Sequence, residues 1–337
     1  MRRRALEFLV CPGCQEELRP SVASGDGDEI IEGHLLCPGC GHTYPVIRGI
    51  PRFAQSRPAS RRVRRMQKRF GWQARRFQNR GFDPASSRTA LRSFVAPLGQ
   101  ADFEGAVVME AGCGTGRWAI AAARWGARDV LAVDFSDAVE ATHDNARGLH
   151  NVHVIQADLH QLPLRRGGAG QVDLAVSIGV LHHLEAPARG LRALTEITRP
   201  GGTVFSWVYA AEGNEWLARY VDPVRSGITS RLPLPVVSGL ALVVTAALHP
   251  LAKLAARGRS RAIPYRPYLE WLAAMPRSHT HAVVHDHLAA PLARYVTRGE
   301  FERWFRESGL GELRIFHRNA NSWSGVARRG LGTGACP

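Results

Sequence analysis

Lysine is almost missing from this chain of 337 residues: Lys68 and Lys253 are the only two, so the excess of 44 Lys+Arg over 29 Asp+Glu, a formal net charge of +15, is carried by arginine. A habitual choice of arginine produces that balance without any polyanionic partner, so charge alone does not call for nucleic acid. Long hydrophobic runs are missing as well. The longest, Val236–Leu248, is broken by Ser238, Gly239 and Thr245 and closed by His249-Pro250, short of the about 20 residues that a membrane span needs. No export signal is expected, because the apolar stretch behind Arg2-Arg3-Arg4 is interrupted by Glu7 and stops at Cys11, too short for the apolar core of a signal peptide. The cysteines do not form a disulfide scaffold: they fall as two tight pairs, Cys11/Cys14 and Cys37/Cys40, plus isolated Cys113 and Cys336, a spacing that points to metal. The expectation is a soluble, cytoplasmic protein whose reduced thiols can hold a metal ion. A hydrophobic share of 45% with 22% charged residues excludes disorder, fibres and coiled coils, and the length suits one large domain with a small appendage, or two domains.

What is present divides the chain. Residues 1–53 hold the cysteine pairs around the polar stretch Ser21–Asp28, read as a hairpin tip or mobile loop, in a module too small to fold on its core alone. Cys11-Pro-Gly-Cys14 and Cys37-Pro-Gly-Cys40 stand 22 residues apart, and two such knuckles supply four thiolates at tetrahedral reach, a donor set that selects Zn²⁺. With all four positions filled by protein the site is structural; His34 and His42 are spare donors. The competing reading is four reduced cysteines with no metal.

Residues 54–100 form a basic segment: no acidic residue stands between Glu32 and Asp83, while Arg57, Arg61, Arg62, Arg64, Arg65, Arg75, Arg76 and Arg80 accumulate. Val63, Met66, Phe70, Ala74 and Phe77 recur at steps of three and four, which predicts an amphipathic helix packed on the sheet by that stripe. The segment is read as a linker or cap whose solvated arginine face lies over the donor site, with RNA phosphates as the rival partner and Phe70, Trp72 and Phe77 as groups on which bases could stack.

From residue 101 to 211 short apolar runs alternate with helical patterns. Ala106–Ala111, Val130–Phe135, Val152–Ala157, Val172–Ile178 and Thr203–Tyr209 read as strands. Such runs, apolar throughout and separated by helices, make a parallel sheet covered on both faces. Residues 212–290 read as a helical lid with prolines at its joints, Pro223, Pro233, Pro235, Pro250, Pro264 and Pro267. Within it the apolar Leu232–Ala256 stretch, flanked by Arg225, Arg231, Arg257, Arg259 and Arg261, suits a lipid-like acceptor or contact with a membrane surface. His279, His281, His285, Asp286 and His287 read as a polar loop, lacking any H-E-x-x-H spacing for a second metal. Residues 291–330 close the fold: Thr297-Arg-Gly-Glu300 is a capping box opening a helix, and Glu312–Arg318 and Ser322–Arg328 are two further strands. The fold class is α/β, a doubly wound, mostly parallel seven-stranded sheet with a small ribbon and a helical insertion.

The first strand of that sheet runs into Gly112, Gly114 and Gly116. Without side chains the backbone there can come within contact distance of a ligand. A dinucleotide fingerprint wants its last glycine where Arg117 stands, and no Gly-Lys-Ser/Thr completes a P-loop. Instead Glu110 precedes the glycines, and Asp134 and Asp158 close the next two strands. Acids at three successive strand ends face one crevice, which repels pyrophosphate and suits a cationic nucleoside. Cys113, with no activating lysine or histidine beside it, reads as a packing residue.

Residues 106–209 resemble class I S-adenosylmethionine-dependent methyltransferases, on Glu110-Ala-Gly-Cys-Gly-Thr-Gly116, Val133-Asp-Phe-Ser136, Ala157-Asp-Leu-His-Gln-Leu-Pro163, Val172–Leu184 and Arg199-Pro-Gly-Gly-Thr203. That resemblance implies a donor site made by Glu110, Gly112, Gly114, Gly116, Asp134, Phe135, Asp158, Leu159 and Ser177. In it the glycines meet the methionine moiety, Asp134 the ribose, Asp158 or its neighbour Leu159 the adenine, and Ser177 the methionine end. Gly41–Pro51 resembles the tail of the small zinc-ribbon proteins that activate methyltransferase partners. A rival resemblance is to bacterial ribosomal RNA guanine methyltransferases, which carry a ribbon with another ligand pattern and no insertion of this length.

The acceptor is read as an oxygen, nitrogen or carbon nucleophile on a small or lipid-like molecule. His182 and His183, just past the fourth strand, are candidate general bases, with helix capping or backbone bonding as the plain alternative. Trp207, Tyr209, Tyr295 and Trp323 are aromatic residues for the pocket wall or the core. The competing functions are methylation of an RNA base and a non-catalytic RNA- or protein-binding module with a nucleoside pocket.

Overall fold

The structure is a computed structural model that describes residues 1–54, 60–77, 91–166, 171–257 and 265–331, with Arg62 and Pro267 described by backbone alone. Arg57, Arg80, Arg259, Arg261, Pro264 and Cys336, which figure in the sequence reading, lie outside the described residues.

The N-terminal module is a four-stranded antiparallel sheet, β1 (Arg19–Asp26), β2 (Glu29–Leu36), β3 (Thr43–Ile47) and β4 (Ile50–Pro51), paired in chain order. The Ser21–Asp28 stretch is most of β1 and its turn into β2. Helix α1 (Arg61–Phe77) follows.

The large sheet is built by β5 (Val107–Ala111), β6 (Asp129–Asp134), β7 (Val152–Gln156), β8 (Val172–Ile178), β9 (Thr198–Tyr209), β10 (Leu310–Arg318) and β11 (Ser322–Arg329). Its order is β10-β11-β9-β8-β5-β6-β7; β5 to β9 are parallel, and β11 runs antiparallel between β9 and β10. Every residue of β5 and β7 is buried, as strands covered by helices on both faces require. Helices α2 (Arg117–Arg124), α3 (Ala138–Asn145) and α4 (Pro187–Ile197) make those crossovers. The chain leaves β7 at one edge and re-enters at β8, on the far side of β5. That reversal opens a crevice at the carboxyl ends of β5, β6 and β8.

Between β9 and β10 lie α5 (Asp222–Gly227), α6 (Leu234–Arg257), α7 (Arg266–Ala274), α8 (Arg277–Ala289) and α9 (Arg298–Glu307). Thr297 caps α9, its hydroxyl accepting from the Glu300 N–H at 3.2 Å. Two expectations are corrected here. The apolar run does not stop at His249-Pro250: α6 continues through Pro250 for 24 residues and is long and apolar enough to cross a membrane by length and composition. Proline removes a single backbone donor, and Thr245 and Ala252 on either side of it stay buried in one continuous stripe. The histidine-rich segment is not a loop but helix α8, in which His281 and His285 are buried. His281 Nε2 meets the Ser238 carbonyl at 3.0 Å, and the His285 ring stacks on Trp72 at 5.4 Å.

The ribbon is part of the core. Phe8, Leu35, Tyr44 and Phe53 share one apolar cluster with Leu131, Ile155 and Leu164. Arg52 bridges Gln156 in parallel, and the Phe53 N–H donates to the Gln156 carbonyl at 2.7 Å, so the ribbon covers the β7 edge that an open sheet would leave unpaired. Arg4 clasps Asp129 at the start of β6 with two bonds of 2.7 and 2.8 Å. A module without enough apolar residues for its own core thus borrows one.

Candidate functional site

A cavity of about 490 Å³ opens at the carboxyl ends of β5, β6 and β8. Its floor is the turn from β5 into α2. Gly112, Gly114 and Gly116 hold φ values of 74°, 55° and 80°, the left-handed region that side chains disfavour. The three are not equivalent. A Cβ on Gly112 would stand 2.2 Å from Val180 Cγ2 and one on Gly116 2.8 Å from Thr142 Cγ2, whereas one on Gly114 would meet nothing within 4 Å. Gly112 and Gly116 therefore allow close packing behind the turn, and Gly114 presents bare backbone to the cavity.

Asp134 fixes this turn. The Gly114 N–H donates to its Oδ2 at 2.9 Å, and the Ser136 N–H and Oγ–H both donate to its Oδ1 at 2.7 Å. Burial raises the Asp134 carboxyl above the usual carboxylate range, against the pull of those hydrogen bonds. Asp158, at the end of β7, accepts from the His160 N–H at 2.9 Å and from His160 Nδ1 at 3.1 Å. Burial opposes ionisation there too, but the His160 contacts win and hold the Asp158 carboxyl low. The same bond raises His160.

Of the residues singled out from the sequence, Gly112, Gly114, Asp134, Phe135, Asp158, Leu159 and His183 line the cavity together. Glu110, Gly116, Ser177 and His182 stand behind that lining. Glu110 lies buried under α2 near the Ala119 N–H, its Oε2 unpartnered among the described residues, and burial pushes its carboxyl well above the normal range. Ser177 is buried within β8 with its hydroxyl unpartnered among the described residues.

The two adjacent histidines part company. His182 turns inward against Tyr209, with ring centroids 4.3 Å apart and neither nitrogen partnered among the described residues. His183 is on the cavity wall, and its Nδ1 donates to the Leu292 carbonyl at 2.5 Å. That bond fixes the tautomer, leaving Nε2 as the acceptor nitrogen. Burial lowers the His183 pKa, so the ring is neutral at pH 7.

The opposite wall is built largely by α1, the segment read as a cap over the donor site. Val63, Met66, Phe70, Ala74 and Phe77, the α1 stripe expected against the sheet, face this cavity, and His279 and Ala282 of α8 join them. Phe70 meets the His183 ring edge-on at 5.3 Å. The arginine face of α1 is not wholly solvated either. Arg69 is buried and donates to the carbonyls of Ala289, Leu232 and Thr229 at 2.8, 3.1 and 3.2 Å, pinning α1 to the helical insertion. The signal for the wall was the stripe itself; what the stripe faces is not written in a periodicity. Trp207 and Tyr209 lie outside the cavity lining and pack on each other at 5.4 Å.

At the ribbon, the four cysteine sulfurs lie within 4.8 Å of one another, with Cys11 to Cys40 at 3.5 Å, Cys14 to Cys37 at 3.3 Å and Cys37 to Cys40 at 3.4 Å. A tetrahedral Zn²⁺ with thiolates at about 2.3 Å has ligand edges of about 3.8 Å, so the set fits zinc in a structural site closed to substrate. Among the described residues this is the one group of His, Cys, Asp or Glu side chains with metal-binding spacing.

Comparisons with known proteins agree with both halves. Residues 108–202 match the family described as a methyltransferase domain, and residues 2–49 match the Trm112p-like protein family. A ubiquinone biosynthesis O-methyltransferase of Acinetobacter baumannii (strain AYE) is 31% identical over 127 residues, 34% of this chain and 52% of that protein. The corresponding enzyme of Caulobacter vibrioides is 31% identical over 136 residues, 37% of this chain and 52% of that one. The chain thus spans about half the length of these curated relatives. Among solved structures, the complex of the Haloferax volcanii Trm112 methyltransferase activator with a putative methyltransferase aligns at a TM-score of 0.46 and 14% identity, covering 78% of this chain and 98% of that one.

Proposed function

We propose that this chain, an S-adenosylmethionine-dependent methyltransferase by its central domain with a Trm112p-like zinc ribbon at its N-terminus, methylates a nucleophilic atom of a small, apolar, lipid-like acceptor. The observation that carries the acceptor class is the cavity's two-sidedness. One wall is the glycine turn with Asp134 and Asp158; the other is Met66, Phe70, Phe77 and Ala282. A polar nucleoside fits the first wall and an apolar body the second.

When bound, S-adenosylmethionine supplies an electrophilic methyl on a sulfonium. Asp134 and the Gly114 backbone are the groups to hold its ribose end, Asp158 and Leu159 its adenine end, and Gly112 its methionine end. The α1 and α8 wall excludes water and orients the acceptor, because an in-line displacement depends chiefly on positioning. His183 Nε2, held neutral and in one tautomer by its bond to Leu292, takes the proton from an acceptor hydroxyl as that oxygen becomes the nucleophile. The zinc takes no part in the chemistry; the ribbon holds the β7 edge from which Asp158 projects.

The relatives are named for O-methylation in ubiquinone biosynthesis, so phenolic oxygen is the first acceptor atom to try. The test is transfer of labelled methyl from S-adenosylmethionine by zinc-loaded protein to a panel of phenols and catechols with and without apolar tails. Label in the extractable acceptor, rising with the tail, is expected. Label found only in ribosomal RNA, or in no acceptor although the donor binds, contradicts the reading.

A further inference from the structure

Helix α6 is built inside out. A helix of a soluble protein turns its large apolar residues to the core and its polar ones to water. Here the buried residues are Val237 at the start and then Ser238, Ala241, Thr245, His249, Ala252 and Ala255, all but Val237 small or polar, in a helix packed against α7 and α8. The outward face is Leu240, Leu242, Val243, Val244, Leu251 and Leu254, with Val243 70% and Leu254 68% exposed. Small residues against neighbouring helices and large aliphatics outward is the arrangement of helices whose surroundings are hydrocarbon. A second outward stripe precedes it: Trp216, Tyr220, Val224 and Ile228, exposed at successive steps of four. Tryptophan and tyrosine favour the depth where headgroups meet acyl chains.

Charge says which surface this is. From Pro223 to Leu269 the sequence has no aspartate or glutamate, whereas Arg225, Arg231, Lys253, Arg257, Arg259, Arg261 and Arg266 fall there. Arg231, Lys253 and Arg257 are exposed beside the apolar face. On the α6 part of this face aliphatics framed by cations and free of acids complement an anionic bilayer, while Asp222, within the Trp216 to Ile228 stripe, is paired with Arg225.

We propose that the outer face of α6, with the Trp216 to Ile228 stripe, docks on the surface of an anionic lipid bilayer, apolar side chains entering the headgroup boundary. The inference uses no cavity residue and stands apart from the methyl-transfer reading. It has a consequence for that reading: α8, on which α6 packs, supplies His279 and Ala282 to the cavity wall, so docking sets the acceptor wall one helix from lipid.

The experiment is flotation of the zinc-loaded full chain with vesicles containing phosphatidylglycerol, against vesicles of phosphatidylcholine alone, for wild type and the double variant Val243→Glu, Leu254→Glu. Both sites are exposed, so the variant keeps its fold, checked by an unchanged melting temperature and unchanged S-adenosylhomocysteine binding. The expected result is wild-type recovery with anionic vesicles at least about tenfold above that with neutral ones, falling with salt, and loss of that binding in the variant. Wild type left unbound at low salt, or a variant that floats equally well, overturns the proposal. So does a wild-type dimer, seen by light scattering, that the same substitutions dissolve, since a second copy then covers this face.

Discussion

The imidazole of His183 donates through Nδ1 to the carbonyl of Leu292, 2.5 Å away, at the joint between the helical insertion and the closing segment 291–330. A residue from the fourth strand's loop is thereby oriented by a segment 109 positions later, and its ring lines the cavity with Nε2 as the acceptor nitrogen. For an acceptor that must lose a proton, His183→Ala is expected to lower kcat about 100-fold with S-adenosylhomocysteine affinity unchanged. Because burial lowers the His183 pKa below its ordinary 6.5, the base stays unprotonated through neutrality. The rate is expected to be flat near pH 7 and to fall only on acidification below that ordinary value. Equal loss in His182→Ala and His183→Ala contradicts the separation of the two rings.

The glycine turn makes a paired prediction. Alanine at Gly112 meets Val180 at 2.2 Å and also pays for a positive φ, whereas alanine at Gly114 pays for φ alone and has open space. Gly112→Ala should destabilise the protein by about 3 kcal/mol or more. Gly114→Ala should cost about 1 to 2 kcal/mol and mainly weaken donor binding, because its methyl occupies the cavity. Melting temperature and calorimetric affinity, measured on both variants, check the split.

Asp129 ties ribbon to sheet. Burial works to raise its carboxyl, but His153 Nε2 at 3.0 Å and the two Arg4 bonds hold it down to about 2. A depressed carboxylate stabilises the fold above its unfolded value near 3.8 and loses that contribution as pH falls through about 2. The contribution at neutral pH is about 2 kcal/mol at most, since Arg4 is half exposed and screened. Asp129→Asn should therefore melt several degrees lower than wild type at pH 7, with the gap closing between pH 4 and pH 2. Comparing the two proteins at each pH cancels the shared loss of zinc in acid.

Much of this was legible in the chain. Val172–Ile178 is a strand with the bounds its apolar run predicts, and the two Cys-Pro-Gly-Cys knuckles bring their sulfurs together. Those features are local: a strand buried on both faces is a continuous apolar run, and a knuckle is four residues. What stayed hidden depends on distant partners. The stripe of α1 has helical spacing, but its neighbours, His183 and the α8 residues, lie more than 100 positions away. Arg69 looks like its arginine neighbours until three carbonyls of the insertion close around it. Segment 279–287 reads as polar because histidine counts as polar, yet Phe77 covers His281 and His285 at 5.1 and 5.3 Å. His182 and His183 are chemically identical in sequence, and one short turn of backbone decides which of them sees the cavity.

The central claim is that the turn held by Asp134 is a nucleoside site for the methyl donor. Calorimetric titration of zinc-loaded wild type and Asp134→Ala with S-adenosylmethionine and S-adenosylhomocysteine tests it most directly. Losing Asp134 removes the acceptor for the Gly114 and Ser136 donors as well as a wall of the cavity. The account predicts saturable one-to-one binding of both compounds by wild type, weakened at least about tenfold in the variant, with the variant still folded by melting. No binding of either compound to intact wild type, or equal binding by the two proteins, contradicts it.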